Sequence, residues 1–160
     1  MTIQVGEIAP DFSLDGVAGT DDAMSGRHRF SLSDYAGAPV VLVFYPADNS
    51  PVCTVQLTSY SADIGRFAEV GVQVLAVSPQ CVEEHEAFSA AQGPFAFPLL
   101  SDPDKAVGQA YGVLGPVGFY RRSVFVVDAH GVVGWAHRAT AGLTFRPVDE
   151  IIDAVAVLEA

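Results

Sequence analysis

"PVVLVFYPADNSPVC", residues 39–53, decides how the chain is read. Its first seven residues, 39–45, are apolar throughout and rich in β-branched and aromatic side chains, the signature of a strand buried on both faces. Pro46 ends the ladder because proline has no N–H to donate. Ser50-Pro51 then announces a helix, since serine is a preferred N-cap and proline a preferred first residue. Counting from Ser50, Cys53 is the third helical residue. It lies in the first turn, where backbone N–H groups lack intrahelical partners and the helix dipole is positive. Both features favour a thiolate over a thiol. The competing reading is a buried, inert cysteine packed beneath the helix, because cysteine is among the most buried residue types.

Outward from this stretch the same alternation continues. Residues 72–78, "VQVLAVS", and 123–128, "SVFVVD", read as further buried strands. Residues 51–69 and 81–91 have helical spacing, with Gly71 closing the first of these helices. Residues 127–138 read as a hairpin that turns at Asp128 to Gly131. Pro147 opens a last helix whose apolar face is Ile151, Ile152, Val155 and Leu158. The expected class is α/β, a central mixed sheet with helices on both faces, in one domain over residues 1–160. In such sheets sites form at the carboxyl ends of strands, where helices begin. Cys53 is at such an end.

Half of the 160 residues are apolar and 17% are charged, a folded composition. The net charge of -11 argues against nucleic acid or an anionic membrane as a partner. The opening residues show no signal-peptide pattern and the longest apolar run is too short to span a bilayer, so a cytoplasmic location is expected. In a reducing compartment two cysteines suggest reactive thiols rather than a structural staple.

Several thiol chemistries are disfavoured by spacing. A C-x-x-C oxidoreductase would need cysteine where the chain has Gln56. A zinc site needs four clustered ligands, and Cys81 with His85 supplies two; the acidic segment "VEEHEAF" reads as placing His85 on an exposed face. Nothing in the sequence pairs a histidine with Cys53 as a hydrolase would require. A lone activated thiol with a hydroxyl and an arginine suits attack on a peroxide O–O bond, where the leaving oxygen needs positive charge and no base is needed to deprotonate water.

At this point the chain resembles the peroxiredoxins, and within them the peroxiredoxin Q (bacterioferritin comigratory protein) group. The family pattern Pro-x-x-x-Thr/Ser-x-x-Cys stands here as Pro46, Ser50 and Cys53, with Asp48, Pro51 and Thr54 also as in the Q group. The likeness extends through "VGEIAPDFSL", "FSLSDYAGAPVVLVFYP", "FPLLSDPDKAVGQAYGV" and "RRSVFVVDAHGVV". It implies a thioredoxin-like fold and a thiol-dependent peroxidase without cofactor, acting on hydrogen peroxide and organic hydroperoxides. It further implies Cys53 as the peroxidatic cysteine, Ser50 as a hydrogen-bond partner of the peroxide, Pro46 as a shield for the sulfur, and Arg122 as the cation at the thiolate. Strand alternation alone does not choose Arg122 over Arg121.

The chain departs from the Q group at Gln56, where glutamate is common, and at Thr58, where the group's commonest resolving cysteine falls. Cys81 is the expected resolving thiol, forming an intramolecular disulfide that a thioredoxin-like or other thiol reductant reopens, in a monomer or homodimer. A one-cysteine cycle resolved by an external thiol and a peroxide sensor on the same fold are the alternatives. A metal-delivery protein ranks below both, for want of a second nearby cysteine. The segment 18–29 has no functional reading.

Overall fold

A seven-stranded mixed sheet, in the order β2-β1-β5-β4-β3-β6-β7, organises the protein. The computed structural model describes residues 3–20, 26–48, 50–115, 118–139 and 145–159. The strands are β1 (Ser13–Val17), β2 (Arg27–Ser31), β3 (Val40–Phe44), β4 (Gln73–Ser78), β5 (Leu99–Ser101), β6 (Ser123–Val127) and β7 (Val133–Arg138). The helices are α1 (Pro51–Ala62), α2 (Ile64–Glu69), α3 (Val82–Gln92), α4 (Ala106–Ala110) and α5 (Val148–Glu159). β3 runs parallel to β4 and antiparallel to β6, and every residue of β3 and β6 is buried. That is why their sequences are continuously apolar rather than alternating.

Two cores sit on opposite faces of the sheet. On one, Val41, Val43, Tyr45, Val124 and Val126 pack with Cys53, Leu57 and Tyr60 of α1, Phe88 of α3, and Ile151 and Val155 of α5. On the other, Leu42, Phe44, Phe125 and Val127 pack with Leu32, Val107 and Tyr111. Helices on both faces of a mixed sheet are the architecture expected from the sequence.

The differences are local. The helix expected over 51–69 breaks at Asp63, whose φ of -100° and ψ of 19° leave the helical region, giving α1 and α2. Aspartate competes for backbone hydrogen bonds and breaks a helix readily. Gly71 stands just past α2 at a φ of +71°, a conformation glycine adopts without strain. The 127–138 hairpin forms as expected, with Asp128 Oδ1 accepting from the N–H groups of His130 and Val132.

The elements β1, β2, β5 and α4, and a short 3-10 helix over Leu32–Tyr35, add to the sequence reading. β1 and β2 pair with each other, and the basic end of segment 18–29 (Arg27 to Arg29) forms the first three residues of the edge strand β2; residues 21–25 lie outside the described residues. No described helix is long and apolar enough to cross a membrane.

Candidate active site

Parallel pairing of β3 with β4 carries both carboxyl ends to one edge of the sheet, with Phe44 opposite Val77. The backbone of Tyr45 extends the ladder by one bond, donating to Val77 O at 3.0 Å, before Pro46 ends it. α1 then begins at Pro51 with Ser50 as its N-cap residue, as the sequence indicates. The Ser50 side chain makes no capping bond; Ser50 O accepts from Thr54, from its N–H at 2.8 Å and its hydroxyl at 2.9 Å. The Ser50 hydroxyl is thus not spent on the helix.

Cys53 is wholly buried, with its thiol in the core between α1 and the sheet. Burial matches the competing reading of an inert cysteine, but the partner does not. Arg122, itself 3% exposed, donates from Nη1 to Cys53 Sγ at 3.1 Å and to Gln56 Oε1 at 2.8 Å. A buried guanidinium thus lies within hydrogen-bond distance of the sulfur, a contact that an inert core cysteine would not make. Arg121 turns the other way, its Nη2 donating to Gly112 O at 3.2 Å. Register explains the choice. β6 faces α1 with Val124 and Val126, and Arg122 continues that face toward Tyr45.

Gln56 meets Arg122 even though it replaces the glutamate of the resembled group. It is fully buried and its Nε2 donates to Tyr60 Oη at 3.3 Å; Tyr60 in turn donates to Arg146 O. A neutral acceptor holds the guanidinium as the carboxylate would, without a second negative charge beside the sulfur. Burial pushes the Tyr60 hydroxyl up to about 12, opposed by Gln56 and Arg122.

Pro46 and Ser50 are half-buried at the two ends of the loop leading to Cys53. Cys81 is half-buried and is the N-cap residue of α3, its thiol 3.6 Å from Glu84 Oε1. Both cysteines are free.

His85 corrects the sequence reading. It is fully buried, not exposed, with Nδ1 2.7 Å from Asp48 Oδ2 and Nε2 2.9 Å from Leu100 O. Both ring nitrogens are engaged, so it is no metal ligand beside Cys81. Among the described residues no group of three or more histidine, cysteine or acidic side chains is placed to hold a metal ion. A signal was available: His85 and Phe88 are three apart on one helix face, and Phe88 is core. The charged neighbours at 83, 84 and 86 obscure it.

The AhpC/TSA family model matches residues 5–136. A Mycobacterium tuberculosis protein provisionally named a peroxiredoxin is 38% identical over 135 residues, 80% of each chain. The chloroplastic 2-cysteine peroxiredoxin of Chattonella marina var. antiqua is 36% identical over 160 residues, covering 95% of this chain and 78% of that one. Among solved structures, Mycobacterium bovis AhpC superposes with a TM-score of 0.89 at 26% identity, over 100% of this chain and 94% of the other.

Proposed function

The chain belongs to the AhpC/TSA family of peroxiredoxins, which are thiol peroxidases, and from that premise we propose that it reduces hydrogen peroxide and organic hydroperoxides through Cys53. The observation that carries this reading is the Arg122 guanidinium 3.1 Å from a sulfur at the start of a helix. The Cys53 thiolate attacks one peroxide oxygen; an S–O bond forms and the O–O bond breaks. The sulfur is oxidised to sulfenic acid, and the departing alkoxide or hydroxide takes a proton and leaves as alcohol or water. Arg122 stabilises the sulfur anion and the charge developing on the oxygens. Ser50 hydrogen-bonds the peroxide, and Pro46 keeps water from the sulfur.

The second half-reaction uses Cys81. Its thiolate attacks the Cys53 sulfenic sulfur, an S–S bond forms, and hydroxide leaves and is protonated to water. An external dithiol of the thioredoxin kind then reduces the disulfide by two exchange steps. Two observations support the pairing. Cys53 and Cys81 follow adjacent parallel strands at the same sheet edge, and Asp48 N donates to Gln80 Oε1, one residue from Cys81. Bond formation brings the two Cα atoms within about 7 Å, which needs the first turn of α1 to fray; helix ends lack intrahelical bonds and open at low cost.

The test is steady-state peroxide consumption driven by a thioredoxin system, with Cys53→Ser as control. Wild type turns over and Cys53→Ser does not; a variant that retains most of the rate refutes the assignment. One equivalent of peroxide followed by mass spectrometry of non-reduced peptides is expected to give a Cys53–Cys81 peptide. Persistent sulfenic acid, or intermolecular disulfides alone, would make the cycle a one-cysteine one.

A further inference from the structure

Asp48, between Pro46 and Ser50, is fastened by a buried network that the thiol chemistry leaves unused. The Asp48 side chain is 3% exposed and the His85 side chain 0%. Asp48 Oδ2 lies 2.7 Å from His85 Nδ1, Asp48 Oδ1 accepts from the Tyr45 hydroxyl at 2.7 Å, and Asp48 N donates to Gln80 Oε1 at 3.1 Å. Gln80 Oε1 also accepts from Ser78 Oγ at 2.7 Å.

Proton counting fixes the state of the pair. Leu100 O can only accept, so the hydrogen in its 2.9 Å bond to His85 is on Nε2. A carboxylate also only accepts, so the contact between Nδ1 and Oδ2 requires a second hydrogen. It sits either on Nδ1, as imidazolium against carboxylate, or on Oδ2, as carboxylic acid against neutral imidazole. In both forms the pair is neutral overall, as its burial demands. Tyr45 remains a donor because burial, and then the charge of Asp48, raise its hydroxyl well above the ordinary value.

Stability alone is a poor reason for such a pair, since apolar residues of similar volume often do as well in a core. What the pair does is mechanical. It ties one loop residue to the end of β3, to α3 and, through His85, to β5, while Gln80 anchors the loop backbone beside Cys81.

We propose that His85 and Asp48 are positioning residues: a shared-proton clamp that holds Asp48 and, through the chain that follows it, the first turn of α1 where Cys53 meets Arg122, and whose release uncovers Cys53. The proposal rests on Cys53 being the reacting thiol. It gives the clamp opposite effects on two reactions. A fastened loop favours peroxide attack, which needs Arg122 at the sulfur, and hinders reagents that need the sulfur exposed.

The experiment uses the full chain in a Cys81→Ser background, so that Cys53 is the one thiol measured. His85→Leu, which keeps volume but removes the proton, is expected to slow the second-order reaction of Cys53 with hydrogen peroxide about tenfold, and to speed its alkylation by iodoacetamide about tenfold. Asp48→Asn is the conservative control. Its amide N–H can donate to Nδ1 and its carbonyl can accept from Tyr45, so both rates stay within about threefold of the parent. A merely structural role would lower the unfolding midpoint without moving the two rates in opposite directions. Slowing or constancy of alkylation in His85→Leu, or an Asp48→Asn variant as disturbed as His85→Leu, overturns the clamp. If His85→Leu does not fold, Gln80→Ala removes the acceptor shared by Asp48 N and Ser78 Oγ and is expected to slow the peroxide reaction and speed alkylation, each by about threefold; no shift overturns the proposal. If the parent Cys53 does not react with peroxide, the thiol assignment fails, while alkylation still reports on the clamp.

Discussion

Replacing Arg122 by methionine separates the chemistry of the site from its packing. Methionine keeps most of the length and apolar contact of the arginine stem and removes the charge. The bonds lost include one to Cys53 Sγ and one to Gln56 Oε1. Loss of a fixed donor at a developing anion costs about a hundredfold to a thousandfold in rate, or about 3–4 kcal/mol of barrier. Loss of the second leaves a buried amide oxygen without its donor, a cost of about 1–3 kcal/mol in stability. Arg122→Lys keeps the charge but not the planar fork that reaches both acceptors, and is expected to lie between wild type and Arg122→Met. Arg121→Ala removes a bond to Gly112 O on the opposite face of the strand. It is expected to cost about 1 kcal/mol of stability and to leave the rate within about threefold. The assay is single-turnover stopped flow of the reduced protein against hydrogen peroxide, with urea unfolding of each variant alongside. Rate losses that are equal for Arg121→Ala and Arg122→Met, or reversed in order, would refute the arrangement of charge argued from the register of β6.

Two further outcomes test the packing that supports the site. Tyr60 ionises up to about 12 in the folded protein against an ordinary 10.0, chiefly because it is buried. The unfolded chain therefore ionises first: this contribution is whole below about pH 10 and is lost as pH rises to about 12, amounting to about 3 kcal/mol. Tyr60→Phe is expected to flatten the fall of the urea midpoint across that window, and an unchanged slope would count against the account. At Gly108, an added Cβ would lie 2.5 Å from Cε1 of Tyr120, whose hydroxyl bonds Asp102, the residue that also accepts from the N–H groups of Val107 and Gly108 in α4. Gly108→Ala should lower stability by about 1–3 kcal/mol; a thermal midpoint equal to that of wild type would show that the ring moves freely.

What the sequence made legible at this site is what depends on neighbours in the chain. Ser50-Pro51 marks the start of α1 within a few residues, and that alone puts Cys53 in a first turn. The short strands β1 and β5 are harder to read: β1 alternates weakly and β5 has only three residues, so their existence follows from pairing with each other and with β4. The partners of Cys53 and Asp48 are remote, 69 and 37 residues away in the chain. Choosing Arg122 over Arg121 from sequence requires knowing which face of β6 meets α1. Alternation usually answers such a question, because one face of a strand is apolar and the other polar. Here both faces of β6 are covered, Val124 and Val126 by the core that holds Cys53, Phe125 and Val127 by the other. The period-two signal vanishes for that reason, and the arginine pair inherits the ambiguity. The same cause hides His85. A face that carries a buried, fully partnered histidine has the hydropathy of an exposed one, and only the carboxylate and the carbonyl that meet it tell them apart.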